Sequence, residues 1–295
     1  HMDTVWPVGT LASRPFTVRG DRGEGPGIYD MKAGLVVMVE ALSRLRATGS
    51  APRRPVTILI NCDEEAGSGT SRGLIEREAR GAGAVLVLEP PLPDGAAKTA
   101  RKGVAIYHLT TTGRPAHAGI EPERGVSAIV EMAHQILRIM ALADPARGTT
   151  INVGVVQGGT ASNVIPERAQ AEIDVRFSTA AELKRVDAGL RALTPVLDGA
   201  GVEITGGENR PPLERTDGVA ELYARVRAIA AELGFDLGEG STGGGSDGCY
   251  TAALGVPTLD GLGVRGGGAH ATDEHIVVSD LPRRIALLVR LLERL

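Results

Sequence analysis

The stretch PVTILINCDEE, residues 55–65, joins an apolar run of strand length to three consecutive acidic residues. The run over 55–61 predicts a buried β-strand. Helical patterns lie on either side of it, at 32–48, ended by Gly49, and at 70–80, and a second apolar strand, AVLVL, follows at 84–88. Apolar strands that alternate with helices indicate an α/β domain, in which a mostly parallel sheet has helices on both faces.

Near residue 100 the pattern changes. The predicted elements are then a strand at 103–112, a helix at 125–142, strands at 150–157 and 169–177, a helix at 180–193 and a strand at 202–206. This order is that of the ferredoxin-like split unit. After Arg210-Pro211-Pro212 the first pattern returns, with helices at 216–233, 245–254 and 280–295 and a strand at 257–260. We therefore predict an α/β domain formed by 1–99 and 212–295, interrupted by a ferredoxin-like α+β domain, 100–211.

Composition excludes several classes of protein. The chain has 295 residues and a net charge of −4, which gives no general attraction to nucleic acid or to an anionic membrane. Aromatic residues make up only 3%, too few for a base-stacking surface, and two cysteines, Cys62 and Cys249, cannot form a disulfide framework. No apolar run approaches the ~20 residues that span a bilayer, and the first residues lack an apolar leader. We expect a cytoplasmic protein without nucleic-acid or membrane partners.

Side chains that can bind metals or catalyse hydrolysis occur in five short clusters. These are His1-Met2-Asp3, Asp30 at the end of GPGIYD, Asp63-Glu64-Glu65, Glu89-Pro90, and His270 in GAHATDE. Each cluster also has a simpler explanation. His1 could belong to a frayed terminus or a tag remnant, Asp30 could cap a helix, and Asp63-Glu64-Glu65 could form a solvated acidic turn. Glu89 could lie in an exposed loop, and His270 could be a structural histidine.

The clusters are more informative together than singly. Adjacent acids at the end of a buried parallel strand are costly unless they are compensated, and ligands of open α/β sheets collect at such strand ends. Two histidines and several carboxylates form a donor set that suits zinc or a related divalent ion. Two ions bridged by one carboxylate would account for the excess of acids.

The ordered motifs resemble those of the di-zinc metallopeptidase/deacylase family. They are His-x-Asp-Thr-Val, Gly-Pro-Gly-x-x-Asp-x-Lys-x-Gly, Asp-Glu-Glu-x-Gly-Ser, Glu-Pro and the late His. The family includes acetylornithine deacetylase and succinyl-diaminopimelate desuccinylase, and the resemblance is closest to its folate-hydrolysing glutamate carboxypeptidases. It implies two Zn²⁺ per chain, with Co²⁺ or Mn²⁺ as alternatives. It also implies five metal ligands: Asp30 bridges the two ions, Glu65 and His270 complete one site, and His1 and Glu89 complete the other. Two further catalytic residues are implied, Glu64 as the general base and Asp3 as the residue that orients His1.

The resemblance also implies how substrate binds. His117 matches the histidine that polarises the scissile carbonyl, Asn163 and Arg176 match residues that hold the substrate carboxylate, and Gly245 offers backbone contacts. Arg210 has two interpretations, recognition of an acidic side chain or a salt bridge at the return hinge. A homodimer through 100–211 is expected, with the strand at 103–112 offering an edge able to pair.

Three functional alternatives follow. Aminopeptidase relatives tend to have Asp at the position of Glu89. Glu89 therefore favours a carboxypeptidase that cleaves an amide next to a free carboxylate. An N-acyl-amino-acid deacylase has the same chemistry, and an inactive fragment that acts as a binding or dimerisation module is the third. This last alternative arises because family members have a strand before His-x-Asp and no residue here precedes His1. We therefore expect that segment to be missing, which would expose apolar surface.

Overall fold

The computed structural model describes residues 1–295, which divide into two compact units, His1–Arg101 with Leu213–Leu295, and Lys102–Pro212. The helices are α1 (Thr10–Ser13), α2 (Ala33–Thr48), α3 (Arg72–Ala79), α4 (Ala128–Met140), α5 (Ala180–Arg191), α6 (Asp217–Glu232), α7 (Gly248–Ala253) and α8 (Leu281–Arg294). The strands are β1 (Thr17–Arg19), β2 (Arg22–Glu24), β3 (Val85–Leu86), β4 (Ala97–Arg101), β5 (Gly103–Thr112), β6 (Thr150–Gly158), β7 (Arg168–Phe177), β8 (Gly201–Arg210), β9 (Glu239–Thr242), β10 (Thr258–Leu259), β11 (Gly266–Gly267) and β12 (His275–Val277). No helix has the length and apolar character required to cross a bilayer.

The first unit mixes helices with parallel and antiparallel strands. Two pairs are parallel, β3 with β10 and β4 with β9, and a four-stranded sheet has the antiparallel order β1-β2-β12-β11. Helix α8 contributes to two apolar clusters, packing with α6 in one and with α2 in the other. The single, mostly parallel sheet that the sequence predicts is thus replaced by several short pairings.

The segment 55–61 explains part of this difference. No strand pairs with residues 56–60, and the β-branched side chains of Val56, Ile58 and Ile60 are exposed, Ile58 by 44%. The prediction of a fully buried strand here is therefore wrong for this structure. An apolar, β-branched run favours extended backbone, but a strand also needs a neighbour to bond to. Asn61 does have one, because its carbonyl oxygen accepts from Met2 N–H.

Helix α2 is placed by two glycines. Gly49 ends it as the sequence predicts, with φ at 69°, and its N–H bonds back to Arg46 and Leu45. At the other end, a Cβ on Gly34 would overlap the carbonyl oxygen of Leu88. Because Gly34 permits this approach, the start of α2 lies against the strand segment that leads into Glu89.

The second unit is a four-stranded antiparallel sheet, β6-β7-β5-β8, with α4 and α5 packed on one face. Large side chains such as Tyr107, Phe177 and Ile139 are almost fully buried between sheet and helices, each worth roughly 1.5–3 kcal/mol of transfer free energy. Strand β5 is paired on both sides, so the expectation that 103–112 offers a free edge is wrong. The outer strands β6 and β8 have the free edges.

Candidate metal centre

Asp30 lies between two histidines in the first unit. Its Oδ1 is 3.3 Å from His1 Nε2, and its Oδ2 is 3.4 Å from His270 Nε2. Helix capping, the simpler explanation for Asp30, is not observed, because α2 begins at Ala33 and its N-cap position is Lys32. Asp30 therefore presents one oxygen to each of two neighbouring groups.

A second carboxylate completes each side. Glu89 Oε1 is 3.3 Å from His1 Nε2, and Glu65 Oε2 is 3.3 Å from His270 Nε2. Ligand atoms of His1, Asp30 and Glu65 all lie within 4.8 Å of one another. The structure thus brings together all five residues that the sequence suggested as metal ligands.

The ring of His1 is buried and oriented. Its side chain is only 1% exposed, so it is not frayed in this structure. His1 Nδ1 lies 3.1 Å from the carbonyl oxygen of Asp3 and 3.3 Å from its Oδ1, while Asp3 Oδ2 accepts from the N–H of Glu65. Contacts at Nδ1 turn Nε2 towards Asp30 and Glu89, as a histidine that binds metal through Nε2 requires.

The three consecutive acids have different surroundings. Asp63 Oδ2 accepts from the N–H and hydroxyl of Thr70 and from the N–H of Ser71, just before α3. These bonds hold the pKa of the Asp63 carboxyl well below its usual range. Glu65 faces His270, and Glu64 lies near His1 and Glu89. The simpler explanation, an acidic turn, therefore fits Asp63, and the catalytic interpretation concerns the other two.

The electrostatics of the cluster favour a bound cation. Glu65 Oε1 is buried without a hydrogen-bond partner, and burial and the charge of Asp30 raise the pKa of Glu65. Burial lowers the pKa of His1, but hydrogen bonds to Asp30 and Glu89 outweigh it and raise that pKa to about 11. Several carboxylates facing two imidazoles in a partly buried space need positive charge, and N/O donors suit zinc. The residues present therefore fit a pair of divalent metal ions.

His270 adopts an unusual backbone conformation. Its φ is +63°, in the left-handed region that non-glycine residues seldom adopt, and its side chain is 53% exposed. Strained backbone of this kind collects at functional sites, where surrounding structure holds it in place. The loop between β11 and β12 thus presents the imidazole to Asp30 and Glu65 while leaving it open to solvent.

A buried arginine supports the Glu89 side. Arg101 Nη2 lies 3.7 Å from Glu89 Oε2, and its Nε donates to Asp260 Oδ2. Its Nη1 donates to the carbonyl oxygen of Gly245, the predicted substrate contact, and Ser246 Oγ donates to Asp260. The sequence interpretation missed both Arg101 and Asp260. The sequence did contain a signal for Asp260, because this carboxylate directly follows a short strand, just as Glu89 follows the strand at 84–88.

In the second unit, His117 and Asn163 lie on neighbouring segments. His117 pairs with Val164 in an isolated bridge, and Ala118 N–H donates to the carbonyl oxygen of Asn163. Gly119 N–H donates to His117 Nδ1. A neutral imidazole that accepts at Nδ1 carries its proton on Nε2, so the exposed ring is a hydrogen-bond donor at Nε2.

The two predicted substrate arginines differ in exposure. Arg176 makes a bidentate ion pair with Asp174, at 2.7 and 2.9 Å, and remains partly exposed. Arg210 is only 5% exposed. This burial does not decide between a salt bridge and recognition of a substrate side chain, and both interpretations of Arg210 stay predictions.

Comparison with known proteins identifies the family. The sequence profile described as peptidase family M20/M25/M40 matches residues 1–294. The chain belongs to this family. Membership confirms the resemblance drawn from the ordered motifs, and it makes this M20 protein a hydrolase of a metallopeptidase family.

Two curated relatives cover nearly the whole M20 chain. It is 37% identical over 297 residues to carboxypeptidase G2 of Pseudomonas sp. (strain RS-16), covering 99% of this chain and 72% of that protein. It is 32% identical over 323 residues to succinyl-diaminopimelate desuccinylase of Methylorubrum populi, covering 100% of this chain and 80% of that protein.

Solved M20-like structures resemble it as well. Aminopeptidase PepT from Bacillus cereus superposes with a TM-score of 0.83 at 26% identity, covering 99% of this chain and 78% of that one. The metallo-carboxypeptidase Sso-CP2 from Sulfolobus solfataricus has a TM-score of 0.68 at 17% identity, with coverage of 97% and 82%. The second likeness concerns the fold alone.

Proposed function

We propose that this M20 protein is a two-metal carboxypeptidase that cleaves an amide bond next to a free carboxylate, with glutamate as the released residue. The observation that carries the proposal is the position of Asp30, with one carboxylate oxygen beside His1 and Glu89 and the other beside His270 and Glu65. Two groups of ligands that share one carboxylate are the arrangement expected of a pair of hydrolytic metal ions. The 37% identity to carboxypeptidase G2 supports the carboxypeptidase assignment.

His1 and Glu89 would hold one ion, His270 and Glu65 the other, and Asp30 both. Zinc, or cobalt or manganese in its place, would polarise the amide carbonyl and lower the pKa of a water molecule. Glu64 is the general base in this scheme. It takes the proton of the attacking water and delivers it to the leaving amine, for which its position near His1 and Glu89 is suited.

Residues of the second unit act on the substrate itself. His117 Nε2, a donor in the neutral ring, hydrogen-bonds the oxygen that becomes negative when water attacks the carbonyl. A donor of this kind contributes roughly 3–4 kcal/mol to transition-state stabilisation. Asn163 and Arg176 hold the terminal carboxylate, which aligns the amide for attack. Arg210 is the residue proposed to meet an acidic side chain, and Gly245, which belongs to the first unit, supplies backbone contacts.

The test of this proposal is a substrate panel with the metal-loaded chain. N-acylglutamates should be hydrolysed with the highest kcat/KM, ahead of N-acetyl neutral amino acids and of dipeptides with a free amino group. Chelation should abolish hydrolysis, and Zn²⁺, Co²⁺ or Mn²⁺ should restore it. A chain that holds two metal ions and hydrolyses none of these compounds would contradict the proposal and favour a binding module.

An N-acyl-amino-acid deacylase is the second candidate. It is favoured by the 32% identity to a succinyl-diaminopimelate desuccinylase, since a deacylase needs the same metal centre and differs in its acyl pocket. The same panel separates the two. A preference for short acyl groups regardless of the amino acid would assign the deacylase.

We also propose a homodimer formed through the second unit. Helix α4 packs on the sheet through one face, and its other face exposes Ile129, Val130 and Leu137, the last by 71%. Strand β6, whose outer edge is unpaired, exposes Val155 and Val156. Apolar side chains on a helix beside a free strand edge favour pairing between two copies about a two-fold axis, and such a dimer is the proposed route by which His117 reaches the partner's centre.

Replacing Leu137 with glutamate should convert the dimer to a monomer at micromolar concentration, because the charge would be buried without a partner in the interface. Analytical ultracentrifugation measures the change. Val39→Glu, at an exposed apolar position on α2 of the other unit, is the matched control and should remain dimeric. A wild-type chain that is monomeric at this concentration and fully active would contradict the dimer.

A further inference from the structure

Glu274 is a buried carboxylate beside the metal centre that no step of the mechanism uses. It is only 1% exposed, and it accepts four hydrogen bonds. Its Oε2 accepts from Trp6 Nε1 and from Gly27 N–H, both at 2.7 Å. Its Oε1 accepts from Tyr29 N–H at 3.0 Å and from Asp30 N–H at 3.1 Å.

These bonds join the three chain segments that carry both histidines and the shared carboxylate. Glu274 lies in the loop between β11 and β12, four residues after His270. The N–H groups of 27–30 belong to the loop that presents Asp30, and the indole belongs to the segment that begins with His1. One carboxylate thus fixes the position of its own loop relative to two segments that precede it by more than 240 residues in sequence.

We propose that Glu274 is a positioning residue for the metal pair, which sets the distance between Asp30 and His270 by binding the loop that carries His270 to the backbone N–H groups of Tyr29 and Asp30. The inference rests on the function proposed above, because it assumes that these residues bind metal. Glu274 is a ligand of neither ion, because the donors around it occupy both of its oxygens.

The chemistry at this position requires an acceptor on both oxygens. All four partners are N–H donors, and an ionised carboxylate is an acceptor only. Glutamine has the same size but would aim an NH₂ group at two of these donors, which leaves buried N–H groups without partners. The loop carrying Asp30 would then have to move, and groups that orient metal ligands typically change metal affinity 10–100-fold when they are replaced.

The experiment measures Zn²⁺ binding to the metal-free 295-residue chain by calorimetry. Glu274→Gln should weaken Zn²⁺ binding 10–100-fold and alter the visible spectrum of the Co²⁺-loaded protein. Trp6→Phe removes one donor, inserts no amide, and should weaken Zn²⁺ binding about threefold to tenfold. Trp6 is the only tryptophan, so its emission in Glu274→Gln should also report the lost hydrogen bond.

Glu131→Gln is the matched control. Glu131 is fully buried in the other unit and accepts N–H bonds from Val196 and Leu197, so its replacement should lower the melting temperature without changing Zn²⁺ affinity or the Co²⁺ spectrum. Unchanged Zn²⁺ affinity in both Glu274→Gln and Trp6→Phe would overturn the positioning role while leaving the proposed function intact. A wild-type chain that binds no Zn²⁺ would instead contradict the proposed function.

Discussion

Glu64→Gln should abolish hydrolysis and leave the bound metal in place. The amide cannot accept the proton of the attacking water, so kcat should fall about 10²–10⁴-fold, the usual contribution of a general base. KM should change little, because glutamine keeps the size of the side chain. Steady-state kinetics on an N-acylglutamate, together with metal analysis of the same sample, measures both quantities.

Glu40→Gln is the appropriate control. Glu40 is exposed on α2, and the same change of charge there should leave kcat within a factor of two. If Glu64→Gln lost a full equivalent of metal, Glu64 would be a ligand and its assignment as the base would be wrong. The grouping of its carboxylate with His1 and Glu89 makes this a real alternative to exclude.

Asp30→Ala should remove both metal ions at once. Asp30 lies within 3.4 Å of Nε2 of both histidines, and its loss would leave each proposed site with one histidine and one glutamate facing each other. We expect metal content to fall from two ions to less than one per chain, and activity to fall to background. Metal analysis after dialysis against buffered micromolar Zn²⁺ is the measurement.

Glu65→Ala and Glu89→Ala provide the comparison, since each should remove one ion and leave the other. A double loss confined to Asp30→Ala supports a shared carboxylate. Equal losses in all three variants would show that the two sites depend on each other in another way. Retention of two ions by Asp30→Ala would contradict the bridge.

Sequence patterns predicted the elements that depend on local chemistry. Helix α2 ends at Gly49 because a left-handed residue stops a helix, and that signal is contained in a few neighbouring residues. The candidate ligands were also found, because acids and histidines at the ends of strand patterns are visible in the sequence. Their assignment to two sites came from the family resemblance.

Features that depend on distant partners could not be predicted. The run at 55–61 has strand character, yet whether 56–60 pair depends on what lies beside them. The position of β5 inside its sheet depends on β7 and β8, which follow it by more than 50 residues. Glu274 lies in the motif GAHATDE with His270, but its role depends on N–H groups near residue 30. Periodicity carries no information about such contacts.

The most direct test of the two-metal centre is a crystal structure of the Zn²⁺-loaded chain with anomalous data collected at the zinc edge. We expect two anomalous peaks of comparable height, one within coordination distance of His1 and Glu89, the other of His270 and Glu65, and both of Asp30. A single peak, or zinc bound away from Asp30, would contradict the account.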